Sequence, residues 1–281
     1  MNPARSYLFV PARDLSIIKK AFSSIADVVI LDLEDAVAIS EKQTARKIMK
    51  EALETHQDEN RVMVRINSLD TDLWEADLEG AIRSGAGGIM VPKAESEQDM
   101  QKVCHRIREI AGDKIVDVIP LIESARGIQF AYEIASADPL ISALAFGSID
   151  FSLDIECELT PEGLELLYAR SQLVIASKAA GIGSPIDAVY PDLTDEAGLE
   201  KQTVFAKQLG FKAKLVIHPK QLGVVHQVLS PSEEELALAG EIVKAFEQAE
   251  KAGEASIKVG GQFVDYPVYK KAKRILQNRG Y

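Results

Sequence analysis

The sequence is short of the residues that build metal cages and disulfide frameworks. Among 281 residues there are two cysteines and four histidines. Cys104 falls on a helical pattern and Cys157 in a loop, a placement that fits neither a disulfide pair nor a thiolate metal site and suits a reducing, cytoplasmic setting. His56 and His105 have no metal-ligand companions and read as surface residues. Positive charge is scarce as well. With 32 Lys and Arg against 43 Asp and Glu, the formal net charge is −11, and no basic arm interrupts it, so a nucleic-acid partner is not expected. An anionic ligand must then meet a local positive patch. No apolar run approaches the roughly 20 residues of a membrane span, and the opening MNPARSYLFVP has no apolar segment of signal-peptide length, so neither export nor membrane association is expected. The first apolar run is not followed by GxGxxG, which weakens a dinucleotide-binding reading.

What is present is organised around Val116 to Asp154. VDVIPLIE is an apolar run stopped by Glu123, and ISALAFGSID is another stopped by Gly147 and Asp150. Between them Ile128, Ala131, Ile134 and Ala135 recur at helical spacing, so a crossover helix joins two parallel neighbouring strands. Both carboxylates then stand at the carboxyl edge of one sheet. Two hard oxygen donors with few other ligand types nearby suit a cation that keeps water and substrate oxygens, such as Mg²⁺.

The same alternation runs through most of the chain. Strand-like SYLFVP, VVILDLE, VMVRIN, GIMVPK, PIDAV and AKLVIHP join the two runs above, each followed by a helical pattern; in one, Met100, Val103, Cys104, Ile107 and Ala111 form a core-facing stripe. Eight such units, several too apolar to have a wet face, predict an α/β fold of the closed TIM (β/α)₈ barrel type over residues 1–229. Polar residues gather at the carboxyl ends of the strands, where such barrels carry chemistry: Asp32, Glu34, Arg65, Asn67, Lys93, Glu123, Asp150, Asp187 and His218.

Residues 230–281 form a C-terminal extension. Ser232 and Glu235 make a capping-box pattern ahead of a long helix stopped by Gly253; Gly260-Gly261 predicts a tight hairpin, and Pro267 opens a last, Lys-rich helix. A completed barrel does not need this segment for its core, which makes it a candidate lid or arm.

By spacing alone, Glu123 and Asp150 read equally as metal ligands and as helix caps. Arg65 reads as an ion-pair partner of Glu34 or Asp32, which share one face of a strand. His218 before Pro219 reads as a loop residue bonded to a carbonyl. Arg5, Arg13, Lys19 and Lys20 read equally as solvated side chains and as a patch for an anionic nucleotide such as coenzyme A.

RSYLFVP, VVILDLEDAV, VRIN, GIMVPKAES, IPLIESARGI, FGSIDFSLD, GFKAKLVIHPKQ and LSPSEEEL, in this order, resemble the citrate lyase β-subunit-like branch of the HpcH/HpaI aldolase family over nearly the whole chain. The resemblance implies a TIM barrel, commonly a homotrimer or homohexamer, that makes or breaks a carbon–carbon bond between an acetyl thioester and a 2-oxo acid with Mg²⁺, or Mn²⁺ in its place. Carried over position by position, it implies Glu123 and Asp150 as metal ligands and Arg65 as the substrate arginine. It also makes Asp265 of FVDYP the acid that moves the methyl proton, on a tail donated to a neighbouring subunit. Asp32 and Glu34 read equally as groups that orient metal-bound water and Arg65 and as groups that bind directly, and Arg5, Arg13 and Lys20 would meet the thioester carrier. Pro11-Ala12 and Ala213-Lys214 stand where the family has Pro-Gly and Gly-Lys, so the nature of that carrier is the open point. Malyl-, citramalyl- or citryl-CoA lyase activity is the first expectation. A citrate lyase β subunit acting on an acyl-carrier-protein thioester and a metal-dependent aldolase of free 4-hydroxy-2-oxo acids are the alternatives.

Overall fold

The computed structural model describes residues 4–277 apart from 57, 59 and 60. They fall into two compact units, Ala4–His226 and a second from Gln227 onward.

In the first unit, β1 (Ser6–Pro11), β2 (Val28–Asp32), β3 (Val62–Arg65), β4 (Gly88–Val91), β5 (Asp117–Ile122), β6 (Ala145–Phe146), β7 (Ile186–Asp187) and β8 (Ala213–Val216) pair in parallel. β8 returns to β1 and closes the barrel. The helices alternate with the strands: α1 (Leu15–Phe22), α2 (Lys42–Thr55), α3 (Trp74–Arg83), α4 (Glu97–Ala111), α5 (Ala125–Gln129), α6 (Ala131–Ser136), α7 (Ser148–Asp154), α8 (Leu167–Ala180), α9 (Glu196–Leu209) and α10 (Leu222–Leu229). Asp14, Ser96, Ser124 and Asp195 each cap the helix that follows by accepting a backbone N–H, so the strand-to-helix turns are set by local chemistry. The single crossover helix expected after β5 is two short ones, because Phe130 at φ −104°, ψ 21° leaves helical geometry between them.

Val28, Ile30, Met63, Met90, Ile119, Leu121, Ala145, Ile186, Ala213 and Leu215 pack together as the barrel interior. Full burial of the Val, Ile, Leu and Met side chains among them contributes about 1.5–3 kcal/mol each. Because successive strand residues face opposite ways, the next inward positions after Ile30, Met63 and Leu121 are Asp32, Arg65 and Glu123, at the carboxyl mouth.

The same alternation turns Asp187 and Lys214 outward. There Asp187 takes Arg170 Nε of α8 at 2.8 Å and Lys214 Nζ at 2.6 Å, all three side chains being 1% exposed. Asp187 therefore leaves the polar mouth where the sequence pattern placed it. Ala213-Lys214, expected near a thioester arm, instead opens β8 at its amino end, with Lys214 committed to this ion cluster.

The second unit has its own core. α11 (Glu233–Lys251) starts at a capping box in which Ser232 Oγ accepts from Glu235 N–H at 3.0 Å and Glu235 Oε2 accepts from Ser232 N–H at 2.9 Å. β9 (Ile257–Val259) and β10 (Gln262–Val264) pair antiparallel, and Gly260 and Gly261 between them both have positive φ, the conformation a two-residue hairpin of this hand requires. α12 (Tyr266–Gln277) carries Ala272 into a cluster with Ile242, Phe246, Val259 and Val264. Among the described residues no helix is long and apolar enough to cross a membrane.

Candidate active site

The carboxyl mouth of the barrel collects charge in a buried setting. Arg65 is 8% exposed and forks onto Asp32, Nε at 2.8 Å from Oδ1 and Nη2 at 2.6 Å from Oδ2. Its Nη1 lies 3.1 Å from Glu34 Oε2 and 3.4 Å from Asp35 Oδ2, and the Phe9 ring lies under the guanidinium at 4.8 Å. The ion-pair reading of Arg65 is thus realised, with Asp32 and Glu34 both as partners, and much of the fork is committed to protein carboxylates. Burial penalises this guanidinium, but Asp32, Glu34 and Asp35 outweigh the penalty and keep it charged.

Glu123 directly follows β5 and is 5% exposed. Its Oε1 accepts the Lys93 N–H at 2.7 Å, and Lys93 holds φ 51°, a left-handed conformation that non-glycine residues seldom adopt and that marks a constrained site. The other oxygen lies against Gly147, where a Cβ would stand 2.6 Å from it. Gly147 is glycine here because β6 passes too close to the carboxylate for any side chain. Burial pushes the Glu123 carboxyl up to about 8 and that of Glu34 up to about 7. Neither Glu34 oxygen accepts a hydrogen bond among the described residues, although Arg65 and Lys93 stand within ion-pair distance.

Asp150 is half-buried in the first turn of α7, one turn beyond the end of β6. It lines one cavity of about 70 Å³ together with Phe9, Arg65, Glu123 and Gly147. Lys42, whose Nζ donates to the Leu33 and Glu34 carbonyls at 2.7 Å, and Lys93 complete the electrostatic set. With every group ionised, the five carboxylates Asp32, Glu34, Asp35, Glu123 and Asp150 would outnumber Arg65, Lys42 and Lys93 by two; burial holds Glu123 and Glu34 largely or partly protonated near neutral pH, and a divalent cation would favour their ionised forms.

That balance fits a divalent cation, and the donors are all carboxylate oxygens, which suit Mg²⁺. Among the described residues no group of three or more His, Cys, Asp or Glu could hold an ion. A site with two protein ligands and room for water and substrate is compatible with that, since Mg²⁺ is commonly held by one or two carboxylates.

The other sequence candidates lie elsewhere. Arg5 precedes β1 at the amino edge, opposite this mouth, where its guanidinium and backbone N–H both bond Asp27, at 3.1 Å and 2.8 Å. Arg5, expected to be solvated or part of a patch for the thioester carrier, is thus engaged in an ion pair at that edge. Lys20 is exposed in the last turn of α1, which leads back toward the amino edge; Arg13 is exposed in the turn after β1. Asn67 bonds Asp77 by both its backbone and side-chain N–H. His218 accepts an amide N–H, that of Lys220, where the sequence reading gave it a carbonyl. Asp265, in the second unit, caps α12 by accepting the Val268 N–H at 3.2 Å. Asp35, Lys42 and the contact between Gly147 and Glu123 were missed. Asp35 lies inside the quoted VVILDLEDAV, whereas nothing in one sequence reveals the other two.

A (β/α)₈ barrel with its charged side chains at the carboxyl ends of the strands has the layout of a barrel enzyme. The family model "HpcH/HpaI aldolase/citrate lyase" matches residues 5–219, and the chain belongs to that family; it is a lyase. It is 35% identical over 285 residues to the citrate lyase subunit beta of Haemophilus influenzae, covering 99% of this chain and 97% of that one. It is 34% identical over 289 residues to the mitochondrial citramalyl-CoA lyase of Homo sapiens, covering 98% and 85%. Among solved structures, the protein CitE of Mycobacterium tuberculosis in complex with magnesium, acetoacetate and coenzyme A superposes with a TM-score of 0.83 at 33% identity, covering all of both chains.

Proposed function

We propose that this chain is a Mg²⁺-dependent carbon–carbon lyase that cleaves, or in reverse forms, a 3-hydroxyacyl-CoA of malyl, citramalyl or citryl type, giving acetyl-CoA and a 2-oxo acid. The observation that carries the reading is the cavity shared by Glu123, Asp150 and Arg65, at a mouth where five carboxyl groups stand against three cationic side chains. Glu123 and Asp150 would hold the cation. Bound there, Mg²⁺ supplies a Lewis acid for the oxygens of the 2-oxo acid portion.

The chain's own groups do the rest. Arg65, fixed by Asp32 and backed by Phe9, directs its remaining N–H groups at charge developing on a substrate oxygen; losing such a donor costs about 10²–10³ in rate. In cleavage the hydroxyl gives its proton to solvent and becomes a carbonyl, the carbon–carbon pair passes to the thioester enolate, and the enolate carbon takes a proton to become methyl. Asp265 of a neighbouring protomer, in a homotrimer or homohexamer, is the group assigned to that last transfer, and in condensation it receives the same proton. Residues 230–281 then act as a lid over the neighbour, excluding water from the enolate.

A second reading, a citrate lyase β subunit acting on a carrier-protein thioester, is favoured by the near end-to-end match to the Haemophilus influenzae subunit. Purified chain is incubated alone with malyl-, citramalyl- and citryl-CoA and Mg²⁺, and acetyl-CoA is scored. Release from a free CoA thioester, lost in Glu123→Gln, supports the first reading. Turnover only when the thioester is presented on a carrier protein supports the second. No cleavage of either kind defeats both.

A further inference from the structure

A second cavity, of about 190 Å³, adjoins the one that holds Glu123 and Asp150. Ser148, Ile149 and Val189 line both, so they form a common wall. The catalytic cavity is small, and Phe146, Leu121 and Leu215, all buried, bound it on other sides. Ile149 and Val189 stand between it and the larger cavity, which is where a substituent too large for the first could extend. Beyond that wall stand Leu159, Leu166 and two prolines, and the volume far exceeds the ~10–15 Å³ that admits one water.

The charges of this second cavity have one sign. Among the described residues its lining holds two carboxylates, Glu165 and Asp192, and no lysine, arginine or histidine. Glu165 is fastened by both oxygens to Thr160, to the backbone N–H and to Oγ1, each at 2.8 Å. Burial would raise this carboxyl, but the Thr160 bonds outweigh it and hold it below its ordinary value, so it stays ionised. Asp192 accepts the Thr194 N–H at 2.8 Å and its carboxyl is likewise held low. Arg170, whose charge Glu165 feels, is buried, pairs with Asp187 and does not line the cavity.

Resting on the lyase reading above, we infer that this cavity is a side-chain pocket that selects 2-oxo acids with an uncharged, apolar substituent and turns away those with a second carboxylate. Apolar walls reward the first, while a second carboxylate would meet the like charges of half-buried Glu165 and exposed Asp192, with no cationic side chain among the described lining residues. Pyruvate and 2-oxobutyrate are of the accepted class and oxaloacetate of the rejected one.

The test is condensation of acetyl-CoA with glyoxylate, pyruvate, 2-oxobutyrate or oxaloacetate by the full-length chain with Mg²⁺, each product thioester being quantified. Pyruvate is expected to exceed oxaloacetate in kcat/KM by about 10²-fold. Asp192→Asn and Glu165→Gln are each expected to narrow that ratio. Leu159→Trp, which fills the cavity from its outer side, is expected to lower the ratio of 2-oxobutyrate to glyoxylate by about tenfold. Oxaloacetate matching or exceeding pyruvate overturns the pocket assignment while leaving the lyase reading in place, as do ratios unmoved in all three variants. Failure with every acid overturns the reading of a lyase that acts on free CoA thioesters, and the pocket assignment that rests on it.

Discussion

Replacing Gly147 by alanine probes the candidate metal site with a single methyl group. A Cβ at this position would lie 2.6 Å from Glu123 Oε2 and 2.7 Å from Glu123 Cβ, about 0.8 Å short of the 3.4 Å at which ordinary contact begins. The backbone itself poses no obstacle, because φ is −102°. Glu123 Cβ is fixed to the end of β5, so the carboxylate cannot simply rotate away; either the strand end or the start of α7 must shift. Overpacking of this kind costs about 1–3 kcal/mol, which leaves most barrels folded. The functional loss is larger. A misplacement near 1 Å costs about 10²-fold in rate, and disturbing a group that supports a metal ligand costs about 10–100-fold in affinity. Gly147→Ala is therefore expected to keep its far-ultraviolet circular dichroism while Mg²⁺ affinity, measured by calorimetry, and kcat both fall in those ranges. Mg²⁺ affinity and kcat indistinguishable from the parent's would refute the assignment of Glu123 as a ligand in this geometry.

Arg65→Lys keeps a charge but loses the fork on Asp32, and kcat is expected to fall by about 10²-fold or more; a near-normal rate would confine Arg65 to its ion pairs. At the amino edge, burial would raise the Asp27 carboxyl, but His226 and Arg5 outweigh it and hold it well below the usual range. A carboxyl depressed in the folded state contributes stability above its unfolded value, about 3.9, and loses it as pH falls below that toward the folded value. The gap in urea midpoint between the parent and Asp27→Asn should accordingly be full at pH 6 and shrink below about pH 4; a gap that widens on acidification contradicts this. Mixed oligomers of Asp265→Ala and Glu123→Gln, each inactive alone, are expected to regain activity once subunits exchange. Hybrids that exchange yet stay inactive would remove Asp265 from the neighbour's site.

The barrel was legible because its signals are local. Alternating apolar runs, capping residues at Asp14, Ser96 and Ser124, and the Gly260-Gly261 turn each specify their own few residues of backbone. The period of two along a strand also assigned Asp32, Glu34, Arg65 and Glu123 to one edge. The same rule misplaced Asp187, because a strand's pattern does not say which of its two faces looks inward; the pairing of β7 with β8 and the packing of α8 decide that. Arg5 and Asp27 are likewise adjacent only through the pairing of β1 with β2. The sequence by itself determined the strand-helix order, the chemistry of the mouth and the family. Only the tertiary structure decided that Gly147 must be bare beside Glu123, that Arg65 is held by Asp32, and that a second, acidic cavity opens behind Ile149 and Val189. Each of these is a contact between residues far apart in the chain, fixed by the closure of the barrel, and no local preference encodes such a distance.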